Sequence, residues 1–295
     1  MSVVHAYRTV RELGGLIRFS HTIFALPFAI LGGVLASHTT TGWTFRGLDW
    51  LGILASMVTA RSAAMAFNRL ADRKIDALNP RTAGRHLPSG RLSVGLVLAF
   101  TLACGLLFLA STALFLPRNP WPIALSVPVL LWLMAYSLTK RMTSLAHFWL
   151  GISLGMAPVA AWIAIRAGLA WPPIWLGLAV LFWVAGFDLI YACQDADFDR
   201  SAGLHSIPAR LGIRGALRLA AACHLMTLVA FAGLGMAYPM GWIYWVGLAC
   251  VAGLLVYEHA LVKPDDLSRV NEAFFQVNAV ISLGLLIASV ADLML

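Results

Sequence analysis

Long, uninterrupted runs of apolar residues alternate with short polar segments along the whole chain. A helix needs about 20 apolar residues to cross a bilayer core about 30 Å thick, and nine runs come close to or exceed that length. Every backbone polar group must be hydrogen bonded inside lipid, so runs this long and continuous predict transmembrane helices. The predicted spans are residues 16–38, 49–68, 92–116, 121–138, 145–165, 173–193, 214–235, 240–261 and 271–292.

The composition also indicates a membrane protein. Of the 295 residues, 60% are apolar and 12% are charged, and the mean hydropathy is +0.82. Soluble domains carry about a quarter charged residues, and disordered chains are poor in apolar residues, so both classes are excluded as first interpretations. The predicted fold class is all-α: a polytopic membrane protein in which nine transmembrane helices surround a central cavity, with residues 1–295 in a single domain.

Lys and Arg residues are distributed unevenly between the two ends of the predicted spans. If the N-terminus is cytoplasmic, sixteen of the 21 lie in inner segments, three lie in outer segments and two lie within spans. This is the bias of the positive-inside rule, and an eight-span chain would lose the alternation. The basic loops also account for the net charge of +8, so the charge does not indicate nucleic-acid binding.

The two long inner segments, residues 69–91 and 194–213, carry similar motifs. In each, a pair of aspartates four residues apart is followed by a basic stretch, Arg-Thr-Ala-Gly-Arg-His in the first and Arg-Ser-Ala-Gly-Leu-His in the second. The motifs lie four predicted spans apart. This spacing suggests an internal duplication of a four-helix unit that faces one central cavity.

The acidic residues are spaced to share helix faces. Asn68, Asp72 and Asp76 fall at i, i+4 and i+8, and Asp195 and Asp199 repeat the four-residue spacing. Like charges at i and i+4 repel each other, so a bare pair destabilises its helix. A hard cation such as Mg²⁺ compensates well, because it takes carboxylate oxygens and keeps sites for phosphate. Two such clusters beside Arg and Lys suggest a metal-bridged diphosphate.

Two other interpretations fit the acidic clusters less well. A solvated loop with surface salt bridges would explain one acidic pair, but not two pairs with the same basic sequel. A membrane transporter or cation channel lined by the clusters is the alternative of another class. Such a protein is expected to place its charges near mid-membrane, whereas these clusters lie at the cytoplasmic ends of predicted spans.

The acidic segments resemble the signatures of a known family. Residues 68–76, Asn-Arg-Leu-Ala-Asp-Arg-Lys-Ile-Asp, resemble the NDxxDxxxD motif of UbiA-type intramembrane aromatic prenyltransferases, with Arg69 where the commonest form has Asp. Residues 188–199 resemble the second motif, which ends YAxxDxxxD, and residues 136–141 resemble the Tyr-x-x-x-Lys-Arg segment. The resemblance covers essentially the whole chain and is greatest to the bacterial 4-hydroxybenzoate polyprenyltransferase group.

The resemblance implies a reaction and a location. The reaction is Mg²⁺-dependent transfer of a polyprenyl group from polyprenyl diphosphate to a small aromatic acid, 4-hydroxybenzoate in respiratory quinone biosynthesis. Residues 18–28 resemble a branch assigned to menaquinone synthesis, so a dihydroxynaphthoate-type acceptor stays open. The expected location is the bacterial inner membrane, with the active site facing the cytoplasm.

The resemblance also implies roles for individual residues. Arg61 lies within a span, where a charge is costly, and is expected to bind the acceptor's carboxylate or to pair with Asp188. The general base is either Asp195 or the released diphosphate. The expected ligands of one metal ion are Asn68, Asp72 and Asp76, and those of the other are Asp195 and Asp199, with the four aspartates catalytic. The expected substrate-binding residues are Arg61, Arg85, Tyr136, Lys140, Asp188 and Tyr191.

Overall fold

The computed structural model describes residues 3–17, 24–39 and 42–295, and almost all of this part of the chain is helical. Strands β1 (His38–Thr39) and β2 (Gly42–Trp43) form a small antiparallel hairpin. Short 3₁₀ segments cover Ala113–Phe115 and Cys193–Asp195, and Ala273–Val277 is π-helical. The α-helices are α1 (Val3–Leu16), α2 (Leu26–Ser37), α3 (Gly47–Leu78), α4 (Val94–Thr112), α5 (Trp121–Thr139), α6 (Ala146–Arg166), α7 (Trp171–Ala192), α8 (Ala196–Ser201), α9 (Ile207–Ala237), α10 (Trp242–Leu261), α11 (Val270–Glu272) and α12 (Asn278–Met294).

The all-helical membrane fold is confirmed. By length and composition, eight helical segments of the described chain are able to cross a membrane, and each overlaps one of the predicted spans from the second to the ninth. In the region of the first predicted span, α2 is apolar but only 12 residues long, and residues 18–23 lie outside the described residues. The count of nine spans and the cytoplasmic N-terminus stay predictions.

Both inner segments contain helix beyond the ends of the predicted spans. The second span is predicted to end at residue 68, and residues 68–78 contain neither Gly nor Pro. Helix α3 continues to Leu78, in agreement with the helical spacing of Asn68, Asp72 and Asp76. It ends just before Asn79-Pro80, where a proline disfavours helix in the residue before it. In the second segment, α8 is a separate helix, and Ser206 caps α9 by accepting a hydrogen bond from the backbone N–H of Ala209 at 3.3 Å.

The chain forms two compact units. Unit 1 consists of Met1–Thr22 and Leu51–Leu138, and unit 2 consists of Ile23–Trp50 and Thr139–Leu295. Each unit therefore carries one of the two acidic segments. The single domain and the duplicated four-helix unit stay predictions.

The core of unit 1 supports the part of α3 that carries the first acidic segment. Ala66 and Leu70 of α3 are buried with Leu16 of α1 and Val97 of α4. Further along the same two helices, the hydroxyl groups of Ser56 on α3 and Ser111 on α4 are hydrogen bonded at 2.9 Å. These contacts hold α3 against its neighbours on both sides of residue 61.

In unit 2, helix α7 lies at the centre and packs against α6 and α9. Its Leu176, Trp183 and Leu189 have no exposed surface. Helices α6 and α7 approach each other at Gly155 and Gly177, where a Cβ atom added to Gly155 would lie 2.5 Å from the carbonyl oxygen of Gly177. Small residues at such contacts let membrane helices pack closely.

We expect Gly155→Ala to destabilise unit 2 by about 1–3 kcal/mol, the usual cost of forcing extra atoms into a packed interior. The new methyl group would meet backbone, which cannot move aside as a side chain can. Equilibrium unfolding in mixed micelles measures the change. Gly284→Ala on α12 is the matched control, because its Cβ would meet no atom within 4 Å. Equal stability of the two variants would contradict the close contact.

Candidate functional site

The first acidic cluster lies on the C-terminal part of α3 in unit 1. The side-chain Nδ2 of Asn68 donates a hydrogen bond to Oδ2 of Asp72 at 2.9 Å, which confirms that residues four apart share this helix face. The Arg69 guanidinium Nη1 donates to Oδ1 of Asn68 at 3.3 Å. The arginine at this position therefore contacts the first predicted metal ligand directly.

Asp76 is held by the loop that follows α3. Its Oδ1 accepts a hydrogen bond from Nη1 of Arg85 at 2.7 Å, and its main-chain oxygen accepts one from the hydroxyl group of Thr82 at 3.0 Å. The residue is only 6% exposed, and its Oδ2 is buried without a hydrogen-bond partner in the described part of the chain. One carboxylate oxygen is thus bound by Arg85, and the other is able to bind a cation.

A strongly basic cavity of about 320 Å³ lies beside this loop in unit 1. The imidazole Nε2 of His86 lies 3.3 Å from Oε2 of Glu12. Burial lowers the pKa of His86, and so do Arg91 and Arg69, whereas Glu12 acts in the opposite direction. Four arginines in one small cavity favour an anionic ligand. The lining residues are Gly15, Arg69, Arg81, Gly84, Arg85, His86 and Arg91.

The second acidic cluster lies where α7 leads into α8 in unit 2. Asp195 and Asp199 are 8% and 2% exposed. Nζ of Lys140 lies 3.6 Å from Oδ2 of Asp199, and the carbonyl group of Lys140 accepts a hydrogen bond from the backbone N–H of His205 at 2.7 Å. Oδ2 of Asp199 is buried and makes no hydrogen bond within the described residues. This cluster shares with the first a buried aspartate beside a cationic side chain, but here the oxygen without a hydrogen bond is the one that faces Lys140.

Comparison with known proteins decides the family. The family model described as the UbiA prenyltransferase family matches residues 25–280, most of the chain. The chain belongs to the UbiA prenyltransferase family. The resemblance seen in the two acidic motifs is thereby confirmed, and the chain is a prenyltransferase integral to a membrane.

Relatives cover nearly the whole length of the chain. The 4-hydroxybenzoate octaprenyltransferase of Vibrio vulnificus (strain CMCP6) is 30% identical over 95% of each chain. The apo structure of a UbiA homolog from Aeropyrum pernix K1 superimposes with a TM-score of 0.82 at 36% identity, over 94% of this chain and 98% of that one. A UbiA homolog from Archaeoglobus fulgidus, solved bound to DMAPP and Mg²⁺, has a TM-score of 0.70 at 18% identity, over 96% and 99% of the two chains. That last likeness shows the fold alone.

Other predicted binding residues of this UbiA chain lie in both units. In unit 1, Arg61 lies on α3 seven residues before Asn68, hence on a similar face, and Tyr136 is half-buried on α5. The Arg61 Nε is buried without a hydrogen-bond partner in the described chain. In unit 2, the ring of Tyr191 packs against that of Phe274 with 4.4 Å between centroids.

Asp188 has a partner that the sequence did not predict. Its Oδ2 lies 2.7 Å from Nδ1 of His147, near the start of α6. The sequence suggested Arg61 as one of the possible partners of Asp188 and did not pair His147 with it. The available signal was general: an aspartate inside an apolar span needs a polar partner, but the sequence does not say which of several polar residues provides it.

A second polar contact inside unit 2 was also missed. Nδ2 of Asn278 donates hydrogen bonds to Oε1 of Glu258 at 3.0 Å and to the carbonyl groups of Ala273 and Phe274 at 3.1 and 3.2 Å. These carbonyls belong to the π-helical segment, where the ordinary helical hydrogen bonds are interrupted. Asn278 therefore stabilises the irregular turn on which Phe274 packs against the ring of Tyr191.

We expect Asp76 and Arg85 to be strongly coupled, because their contact is short and largely buried, with side-chain exposures of 8% and 23%. A double-mutant cycle with Asp76→Asn and Arg85→Gln should give an interaction free energy of about 1–3 kcal/mol in equilibrium unfolding. The matched control is Asp197→Asn with Arg200→Gln, a 3.0 Å pair whose side chains are 97% and 57% exposed. Its coupling should be close to zero. Similar coupling in the two cycles would contradict the role of burial.

Proposed function

We propose that this protein transfers a polyprenyl group from polyprenyl diphosphate to an aromatic acceptor, 4-hydroxybenzoate first among the candidates. The observation that carries the proposal is a buried aspartate beside a cationic side chain in each unit. Asp76 is paired with Arg85 through one oxygen, and its other carboxylate oxygen has no hydrogen-bond partner among the described residues; Oδ2 of Asp199 lies 3.6 Å from Nζ of Lys140 and makes no hydrogen bond there. Relatives named 4-hydroxybenzoate octaprenyltransferase, which span nearly the whole chain, support the choice of reaction.

The two acidic clusters suit Mg²⁺. Asn68, Asp72 and Asp76 would hold one ion, and Asp195 and Asp199 the other, with both sets facing a single diphosphate. Over the described residues, no three His, Cys, Asp or Glu side chains gather into a metal site of their own. Mg²⁺ commonly binds through one or two carboxylates and completes its shell with water and substrate phosphates. When bound, Mg²⁺ would neutralise the charge that develops on the leaving diphosphate.

Cationic side chains would bind the remaining phosphate oxygens. Arg85 lines the basic cavity of unit 1 and retains guanidinium N–H groups beyond the one donated to Asp76. A guanidinium group matches phosphate geometry, whereas the Lys140 ammonium acts as a point charge. Tyr136, four residues before Lys140, would donate a hydrogen bond from its hydroxyl group to the diphosphate.

Two polar groups within the spans would orient the aromatic acceptor. Arg61 Nε is a buried donor that has no hydrogen-bond partner in the chain as described, and the guanidinium group would bind the acceptor's carboxylate as a charged pair. Asp188 would accept a hydrogen bond from the ring hydroxyl group. Together these contacts would place the ring carbon next to the hydroxyl group against the first carbon of the prenyl chain.

The transfer needs a pocket that stabilises positive charge and excludes water. As the allylic C–O bond breaks, its electron pair leaves on the diphosphate and the prenyl carbon becomes cationic. The face of an aromatic ring attracts a cation, and Tyr191, one turn before Asp195, would supply it. The new C–C bond forms to the ring, and the ring proton then passes to Asp195 or to the released diphosphate.

The location follows from the chemistry of the substrates. A polyprenyl tail partitions into lipid, whereas its diphosphate and a small aromatic acid are soluble in water. A site at the ends of transmembrane helices is accessible from both phases. The positive-inside distribution favours the cytoplasmic side for these ends, and the membrane proposed is the inner membrane of a bacterial cell.

We expect the purified protein to form a 3-polyprenylated product and release diphosphate when given Mg²⁺, polyprenyl diphosphate and 4-hydroxybenzoate. EDTA should abolish turnover. Asp72→Ala and Asp195→Ala should each lower it by about 10²-fold or more, the order found when a group that stabilises developing charge is removed. Product formation by mass spectrometry and diphosphate release are the measurements.

Asp197→Asn is the matched control for the second cluster, because this aspartate lies between Asp195 and Asp199 but its side chain is 97% exposed. It should keep normal turnover. A parallel assay with dihydroxynaphthoate acceptors separates the two quinone pathways. Full activity in EDTA and in both alanine variants would overturn the two-metal scheme, and ion flux into liposomes without prenyl transfer would favour a transporter or channel.

A further inference from the structure

Asp188 and His147 form a polar pair within the spans of unit 2. A carboxylate inside a membrane span is costly and is usually paired. Here the partner is an imidazole, and the distance of 2.7 Å between Nδ1 of His147 and Oδ2 of Asp188 is that of a charge-assisted hydrogen bond. An ionised carboxylate only accepts hydrogen bonds, so Nδ1 of His147 is the donor.

The two members of the pair differ in their access to a ligand. The side chain of His147 has no exposed surface, whereas that of Asp188 is 16% exposed. Asp188 also lies three residues before Tyr191 and seven before Asp195, on the helix face that carries the second acidic cluster. A ligand at this cluster can therefore reach Asp188 but not His147.

The hydrogen bonding of the imidazole indicates that the ring holds the carboxyl group of Asp188. Its other nitrogen, Nε2, is buried and has no hydrogen-bond partner in the described chain. Among the described residues, the polar contact of the ring is thus with the carboxyl group of Asp188 alone. By holding Oδ2, His147 fixes the rotamer of that carboxyl group and leaves Oδ1 for another donor.

We propose that His147 is a positioning residue for the aromatic acceptor, acting through Asp188. This inference rests on the proposed prenyl transfer. Oδ1 of Asp188 accepts a hydrogen bond from the acceptor's ring hydroxyl group, which increases electron density at the adjacent ring carbon. That carbon forms the bond to the prenyl group as the allylic C–O bond breaks, and the ring proton leaves to the base named above.

A purely structural role for His147 predicts a different outcome. A helix that has lost a packing residue would bind both substrates poorly or lose stability, whatever the chemistry of the acceptor. A positioning role affects the aromatic acceptor alone. It also depends on how readily the acceptor's hydroxyl group gives up its proton, because a hydroxyl group that is already ionised needs no hydrogen-bond acceptor.

The test compares His147→Leu, His147→Asn and His147→Gln. Asn places an amide N–H near the position of Nδ1, whereas Gln places one near Nε2. His224→Leu is the matched control, because His224 is a buried histidine of unit 2 whose Nδ1 contacts His259 instead of a carboxylate. Steady-state kinetics gives kcat/KM for each substrate, and binding of polyprenyl diphosphate shows that each variant is folded.

His147→Leu should lower kcat/KM for 4-hydroxybenzoate by about 10–100-fold, the effect typical of losing a residue that orients a ligand-binding side chain. The KM for polyprenyl diphosphate should change by less than about twofold. His147→Asn should recover most of the loss, and His147→Gln should recover little. With ring-fluorinated acceptors whose hydroxyl groups are ionised at the assay pH, the ratio of wild-type to variant rates should fall towards one. His224→Leu should show no such dependence on the acceptor.

Other outcomes would overturn the role of His147. These are an equal loss for both substrates, equal behaviour of the Asn and Gln variants, and a loss that does not vary along the acceptor series. If His147→Leu does not fold, the comparison of Asn with Gln decides alone. A wild-type protein that prenylates no aromatic acceptor would overturn the proposed function and this role together, whereas an active wild type with an unaffected His147→Leu would overturn the role alone.

Discussion

A buried carboxylate at a membrane boundary needs a positive partner, and this constraint shapes both acidic segments. Removing one member of a buried ion pair costs about 3–5 kcal/mol, because the other charge is left without compensation. Arg85 serves Asp76 in unit 1, and Lys140 serves Asp199 in unit 2. Within the described chain both keep acceptor capacity: Asp76 has one carboxylate oxygen without a hydrogen bond, and the Asp199 oxygen that faces Lys140 at 3.6 Å makes none. The remaining acceptor capacity is what a cation-bridged anion would use.

The same constraint explains why the helical structure extends beyond the apolar spans. The partner of each aspartate comes from a connecting segment, and backbone contacts fix that segment. Arg85 reaches Asp76 because the chain turns after Leu78 and Thr82 binds the main-chain oxygen of Asp76. Lys140 is fixed by the hydrogen bond from the backbone N–H of His205. Both cationic side chains are therefore placed before any ligand arrives, which limits the reorganisation that binding requires.

The sequence predicted what depends on local spacing and missed what depends on tertiary contacts. Apolar length is a local property, so the spans from the second to the ninth were predicted to within a few residues at most ends, and the contact of Asn68 with Asp72 followed from the helical repeat. Hydropathy sets the end of the second span at residue 68, whereas the four-residue spacing of Asn68, Asp72 and Asp76 indicated a helix beyond it, as α3 shows by continuing to Leu78. The pairing of His147 with Asp188 joins residues 41 positions apart, and no local pattern encodes it.

Two intramembrane carboxyl groups show how structural and functional polar groups are distinguished in this chain. Glu258 is paired with Asn278, and Asp188 is paired with His147. Glu258 has no exposed surface, and its partner is also bonded to the carbonyls of the π-helical turn, so this pair is committed to the backbone. Asp188 retains exposed surface, and within the described part of the chain its partner makes no other hydrogen bond. Accessibility together with unused hydrogen-bonding capacity is therefore the reason that a ligand contact is proposed for Asp188 and not for Glu258.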